Sequence, residues 1–502
     1  MEPRVPGRPA PDLQGIAGEP HEDDPAAWLD RLVQSAAHAG CDAFQARAEL
    51  EHRGMFMLEP RGRNVLSSRT GGLALTAYVG DASGFASTHD PSPEAIARLV
   101  ARAVTLARAN AARGGHGFGF APGPARRALH KPAIRGHLRE AGAAEAFPLL
   151  ERAQKGATER DPGAIPISRI GYQDRRVLST DSAGGWVDNG FYLSTLIVHS
   201  THRDGARIGT GATLTSGERG IQDWEEQGGP EQRGRDAAER AIDYARAEPA
   251  PVGRMRVLCD HRLTGFLAHE SFGHLAEFDL VDQGWSVLKG RVGETFAGPQ
   301  VSVVDAPEVP GAPRTGVRTP LDDEGTQGRD VRILEGGVLK RYMHQRGSAA
   351  REGEAATGNG RALSVRHPPI VRMRNTFLEP GDLSVEEALE QLGDGVYLVG
   401  ATGGAPASDG SYMFTAQRGW RVEGGELAAP IRSTSISGNI LESLHRIEAL
   451  TTDFDVFSDV WAGCFKWDQG FLPVGMGGPH MLLSEALVGG EQVVARKASA
   501  GA

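Results

Sequence analysis

With 502 residues, 40% hydrophobic and 24% charged, the chain has the composition of a soluble globular protein and the length for roughly two to four domains. Its net charge of −10, from 54 basic and 64 acidic residues, gives no reason to expect nucleic acid as a partner, and no apolar run approaches the ~18 residues that span a bilayer. Cys41, Cys259 and Cys464 lie far apart and form no CxxC, which fits a reducing compartment better than a disulfide framework. The expectation is a cytoplasmic protein that binds neither nucleic acid nor membrane. Residues 1–24 contain no apolar signal-peptide core and are expected to be a disordered leader.

Taken in chain order, Pro25 to Ala39 places Trp28, Leu29, Leu32, Val33 and Ala36 on one helical face and stops at Gly40. Residues 43–81 predict strands, with turns at Arg61-Gly62-Arg63-Asn64 and at Gly71-Gly72. A helix follows, with Ser92 as N-cap, Pro93 in its first turn, and a stripe of Ile96, Leu99, Val100, Ala103, Val104 and Ala107. Gly114 to Gly136 predicts a loop, and helices are expected near Ala143 to Ala153 and Asp236 to Arg246. A domain boundary is expected at Pro249-Ala250-Pro251. Beyond it, hairpins are predicted around Glu335-Gly336-Gly337 and Glu423-Gly424-Gly425, and Ser384-Val385-Glu386-Glu387 forms a capping box before a short helix.

The stretch LAHESFGH carries the chemistry. Met255, Val257 and Cys259 alternate as a strand, and Asp260 is suited to cap a helix that turns Leu263, Phe266 and Leu267 inward and runs on through His269 and His274. At about 100° per residue, an HExxH motif sets its histidines about 40° apart, whereas the HExxxH spacing found here sets them about 140° apart on an undistorted helix. Convergence on one ion therefore requires a local distortion, and Gly273 permits a kink or a π-type widening. Two imidazoles suit zinc, a catalytic zinc needs a third protein ligand, and Glu270 is placed to take a proton from water. By spacing alone the third ligand is open: Glu277, Asp279, Cys464 and His480 are all candidates. Cys259 fits a buried apolar role on its strand. Asp322-Asp323-Glu324 predicts a solvated turn, and Arg366 to Arg374 alternates Arg with apolar residues as a half-buried strand does.

HESFGHLAEFD, SVLKGRVGE, VVDAP, LDDEGTQ, GVLKRYMHQR, TGNGRA, PIVRMRNTFLEPGD and PVGMGGPH, in this order over residues 255–490, resemble the TldD/PmbA family. GGLALTAYVGDASGFASTHD resembles that family's first domain. The resemblance implies an α+β fold, with an N-terminal mixed α/β domain over 25–249 and a largely antiparallel β domain over 250–502 that carries the HExxxH helix. It implies a cytoplasmic metallopeptidase with His269, His274 and Cys464 as Zn(2+) ligands and Glu270 as the catalytic glutamate. It also implies a cavity that admits extended or unfolded peptides, and a dimer formed with a metal-free paralogue or with an identical chain. The chain departs from the family after Cys464, where Phe465, Trp467 and Phe471 make the run bulkier and one residue longer.

The expected function is zinc-dependent hydrolysis of amide bonds in extended, unfolded or modified peptides. His480, Tyr412 and Trp467 are the expected substrate-side residues. The alternatives are cleavage of a C–N bond in a small biosynthetic intermediate at the same site, or a non-catalytic regulatory binding subunit.

Overall fold

The structure, a computed structural model, describes residues 24–489 except 116, 124–126, 227, 313, 407–409 and 433. The expected leader lies outside the described residues but for Asp24, whose side chain caps the first helix. Two apolar stripes organise the first half. Helices α1 (Pro25–Ala37) and α2 (Pro93–Ala112) bury the predicted residues, and Ser92 accepts from the Ala95 N–H as N-cap. Strands β1 (Ala43–Glu59), β2 (Gly62–Val79), β3 (Ala82–Thr88) and β4 (Arg127–His130) are followed by helix α3 (Leu138–Arg160). Strands β5 (Ile165–Asp181), β6 (Trp186–Asp204), β7 (Arg207–Gly217) and helix α4 (Gly229–Arg246) complete this half.

The strands form one sheet in the order β3-β2-β1-β5-β6-β4, with β7 also paired to β6. In β1 and β5, Phe44, Ala46, Ala48, Phe56, Ile170, Tyr172 and Leu178 alternate onto the helix-covered face. The other face carries buried Arg47, Glu49, Glu51, Gln173 and Arg175, and it docks on the second half of the chain. There Arg175 donates to Glu49 Oε2 at 2.8 Å and lies 3.1 Å from Asp323 Oδ1, while Arg47 donates to the carbonyls of Ser364 and His367.

This docking corrects the expected solvated turn at Asp322-Asp323-Glu324. Asp322 is 2% and Asp323 6% exposed. Backbone N–H groups of Thr326 and Gly360 donate to Asp322, and burial with the neighbouring Glu324 pushes its carboxyl up. Gly71-Gly72 is also not a turn. Both glycines lie inside β2, and a Cβ on Gly72 would stand 2.4 Å from the Thr88 carbonyl oxygen. The predicted loop at 114–136 contains the short strand β4, and β5 to β7 fill a stretch in which the sequence predicts no element.

The chain enters its second half through Pro249-Ala250-Pro251, the boundary proposed from the sequence. Strand Gly253–Cys259 and helix α5 (His261–Ala268) follow, and Asp260 accepts from the Leu263 N–H as the predicted N-cap. Strand Gly253–Cys259 pairs with Gly395–Pro406 and Met481–Gly489. Met481–Gly489 then pairs with Thr434–Asn439, Thr434–Asn439 with Ser411–Glu423, and Ser411–Glu423 with Gly395–Pro406, which closes a ring of five strands. Leu263 and Leu267 of α5 line its interior with Cys259, Tyr412, Phe414 and Met481.

The opposite side of α5 lies on a six-stranded sheet in which Asn375–Leu378 and Gly475–Gly478 run parallel. Contact there is backbone to backbone, since a Cβ on Gly265 would stand 2.4 Å from the Gly477 nitrogen. The mixture of helices and sheets is the expected α+β class. Among the described residues, no helix is long and apolar enough to cross a membrane.

The close contact at Gly265 makes a direct prediction. Gly265→Ala overpacks a backbone that has no side chain to move aside, at a cost of about 1–3 kcal/mol. The expected result is a lower urea midpoint with an unchanged denaturant slope, and an unaltered midpoint contradicts the packing.

Candidate metal centre

Immediately after α5 the backbone widens into one π turn, His269–Gly273, where the His274 N–H bonds the His269 carbonyl. This is the distortion that the HExxxH spacing requires. It brings the two imidazole centroids to 5.0 Å. Gly273 contributes through its missing side chain, because a Cβ there would meet Met373 Sδ at 2.2 Å. Phe272 packs edge-on against Phe296, and the Ser271 hydroxyl donates back to the Leu267 carbonyl, so the widened turn is held from both sides.

Cys464 reaches the same place on a two-stranded hairpin, Cys464–Lys466 with Gln469–Leu472. Its Sγ lies 3.4 Å from His274 Nε2, and one donor atom each from His269, His274 and Cys464 lies within 4.8 Å of the other two. His269 and Cys464 are 1% and 2% exposed. Burial alone would push the Cys464 thiol up, but the imidazoles of His274 and His269 and the Arg372 guanidinium hold it well below its ordinary value. Burial disfavours a charged His274, yet Cys464 and Glu277 carry that ring well above its usual range.

The three groups fit a zinc ion. Two imidazoles and a thiolate form a borderline-soft donor set, and the cluster draws positive charge. In addition, His269 Nδ1 is buried with no hydrogen-bond partner among the described residues.

A buried polar network fixes these donors. Glu277 Oε2 stands 2.9 Å from His274 Nδ1, which leaves Nε2 facing the cluster. Lys466 Nζ lies 3.3 Å from Glu277 and donates to Asp279 Oδ1 and, at 2.7 Å, to the Val371 carbonyl. Burial would raise the Glu277 carboxyl, but Lys466 and His274 hold it at about 2. Arg372 donates to the carbonyls of Cys464 and Gln469, and Arg361 to those of Met373 and Pro473, so the hairpin is clamped through its own backbone.

Glu270 lies on the same turn, its side chain 14% exposed and 3.9 Å from His274 Nε2. Burial pushes its carboxyl up, while His269 and His274 pull it back. Its carboxylate makes no hydrogen bond among the described residues, and His274 is its ion-pair partner.

The other residues singled out from the sequence lie elsewhere or act differently. Glu277 and Asp279, candidate third ligands by spacing, are taken up by His274 and Lys466. His480 is held by Asp453 and Tyr397 in a separate cluster, so it is not brought to this centre. Tyr412 is 4% exposed, shares a hydrogen bond with Ser443 and lines the five-stranded ring, which removes it from the substrate side. Cys259 is buried beneath α5, and burial pushes its thiol up. Trp467 occupies the hairpin turn with φ 52°, under Lys466 Nζ at 4.9 Å.

Lys466 and Arg372 contact the groups around this centre, and the sequence does not single them out. Position 466, two after the cysteine, is a possible signal for the first. Arg372 was hidden because Arg366 to Arg374 looked like a half-buried strand. In fact Arg372 and Arg374 are both 0% exposed, with Arg374 bound to Asp305 Oδ1 at 2.8 Å.

The chain is similar to known proteins over most of its length. Residues 252–490 match the family model described as the PmbA/TldA metallopeptidase C-terminal domain, and residues 63–107 match the one described as domain 1. A metalloprotease of Methanothermobacter thermautotrophicus is 31% identical over 439 residues, 87% of this chain and 92% of that protein. A zinc metalloprotease TldD homolog of Saccharolobus solfataricus is 36% identical over 253 residues, 50% of this chain and 55% of its own. The crystal structure of TldE from Thermococcus kodakarensis shares the fold at TM-score 0.75 and 18% identity, covering 92% of this chain and 100% of that one. By the length and identity of these matches, the chain belongs to the TldD/PmbA family of metallopeptidases.

Proposed function

We propose that the protein is a zinc peptidase that hydrolyses amide bonds in extended or unfolded peptides. The observation that carries this is the convergence of His269, His274 and Cys464 within 4.8 Å, with the Glu270 carboxylate 3.9 Å from His274 Nε2. His269, His274 and Cys464 would hold the ion. When bound, zinc supplies Lewis acidity to a scissile carbonyl and acidifies water.

The chain's own residues supply the rest. Glu277, fixed by Lys466, keeps His274 Nδ1 engaged and its Nε2 turned to the cluster. Arg372 holds the Cys464 backbone, so the thiolate cannot swing away when the site loads. Glu270 takes the water proton on its carboxylate and passes it to the leaving amine. Phe465 and Phe471, 61% and 65% exposed on the ligand-bearing hairpin, offer an apolar wall to a peptide side chain. The proposed assembly is a dimer, with an identical chain or with a metal-free paralogue of the same fold.

Three outcomes test the proposal. Glu270→Gln should keep its zinc and lose about 10²–10⁴-fold in casein hydrolysis; full activity with zinc retained removes Glu270 as the base. Chelation should abolish hydrolysis and zinc should restore it, whereas a chelator-insensitive activity contradicts the reading. Lys466→Met should weaken zinc binding about 10–100-fold through the loosened Glu277–His274 contact. Competition with a chromophoric chelator measures that loss, and unchanged affinity contradicts the positioning role.

A further inference from the structure

The opposite end of α5 carries a second convergence of metal-binding groups. His261 opens the helix, Asp453 follows the strand Ile447–Leu450, and His480 precedes Met481–Gly489. Asp453 Oδ2 lies 2.7 Å from His261 Nε2 and 2.7 Å from His480 Nδ1. The two rings stand 4.5 Å apart, and one donor atom from each residue lies within 4.8 Å of the other two. None of the three belongs to the centre built on His269, His274 and Cys464.

We propose that His261, Asp453 and His480 form a second binding site for a divalent transition-metal ion, with two imidazoles and one carboxylate on one side of it. That donor set holds first-row divalent ions while leaving coordination positions open. Neighbouring groups already orient the donors. Thr451 Oγ1 donates to Asp453 Oδ1, which leaves Oδ2 for the cluster, and the Tyr397 hydroxyl engages His480 Nε2 at 2.8 Å, which turns Nδ1 inward.

A plain hydrogen-bonded triad accounts less well for His261. Its Nε2 is buried 2.7 Å from Asp453 Oδ2, the same oxygen that His480 Nδ1 engages at 2.7 Å, so one carboxylate oxygen serves both rings.

Charge and space support the same reading. Asp455 and Asp260 add negative potential at His261 beyond that of Asp453. The adjacent Arg262 lines the same cavity, but its guanidinium is engaged, donating to the Leu214 carbonyl and lying 4.8 Å from the Phe457 ring centroid. His261 and His480 line a polar cavity of about 480 Å³ that has room for water in the open positions. Arg233, Arg240 and Arg418 also line this cavity, with Arg233 donating to the Gly229 carbonyl at 2.8 Å and Arg240 to the Ala212 carbonyl at 2.7 Å.

The test is cobalt(II) loading of the full chain after chelator stripping, read by equilibrium dialysis and absorption spectroscopy. Wild type should bind two ions per chain. His261→Gln and Asp453→Asn should each bind one and keep the intense thiolate-to-cobalt band of the Cys464 site. Cys464→Ser should lose that band and still hold an ion at the second site. Circular dichroism checks that each variant is folded, and using one substitution on α5 and one outside it guards against a single misfolded chain. The proposal is overturned if wild type binds a single ion with the thiolate band present, or if both His261→Gln and Asp453→Asn still bind two. A wild type that binds one ion but has no thiolate band instead removes the Cys464 centre.

Discussion

The backbone bond from the His274 N–H to the His269 carbonyl closes a π turn, and the positions of both imidazoles follow from it. An α-helical continuation of α5 would point the second ring away from the first. Such a turn is rare, occurs mostly as a single-turn bulge in an α-helix, and here is surrounded by packing. Met373 occupies the space a side chain at 273 would need, Phe296 bears on Phe272, and α5 itself is wedged between the five-stranded ring and Gly475–Gly478. The fold therefore stores the distortion in a place where it cannot relax without opening two sheets.

The rest of the site depends on buried charges that pair with one another or with backbone carbonyls. Arg372, Arg374, Asp305, Lys466, Glu277 and Asp279 are all buried, and each has a named partner. Removing one member of such a set costs about 3–5 kcal/mol because it strands the other, although an apolar replacement of the whole set can be neutral. What the network contributes is placement. It fixes the Cys464 hairpin by its carbonyls and His274 by its Nδ1, so the donor atoms meet without help from solvent-exposed contacts. The polar face of the N-terminal sheet follows the same logic, with Asp323 serving as counter-ion to Arg175 across the two halves.

Local features were legible in the sequence, and distant compensation was not. The stripe of α2, the Asp260 cap, the capping box at Ser384 and the need for a distortion near Gly273 all follow from residues within one or two turns of each other. Cys464 was chosen through family resemblance, since spacing left Glu277, Asp279 and His480 equally open. Asp322 to Glu324 and Arg366 to Arg374 were misread for one reason. Their counter-charges and backbone partners come from segments far along the chain, so charged runs that look solvated are buried. Gly71-Gly72 failed differently, because a glycine that admits a neighbouring backbone carries the same local signature as one that turns the chain.

The most direct test of the central claim is diffraction from crystals of the protein purified with zinc, recorded on both sides of the zinc absorption edge. The account predicts an anomalous peak bonded to His269, His274 and Cys464 Sγ, with Zn–S near ~2.3 Å and Zn–N near ~2.0–2.1 Å. An ordered His269–Gly273 turn with no zinc peak beside Cys464, or a peak that takes its third protein ligand from another residue, would contradict it.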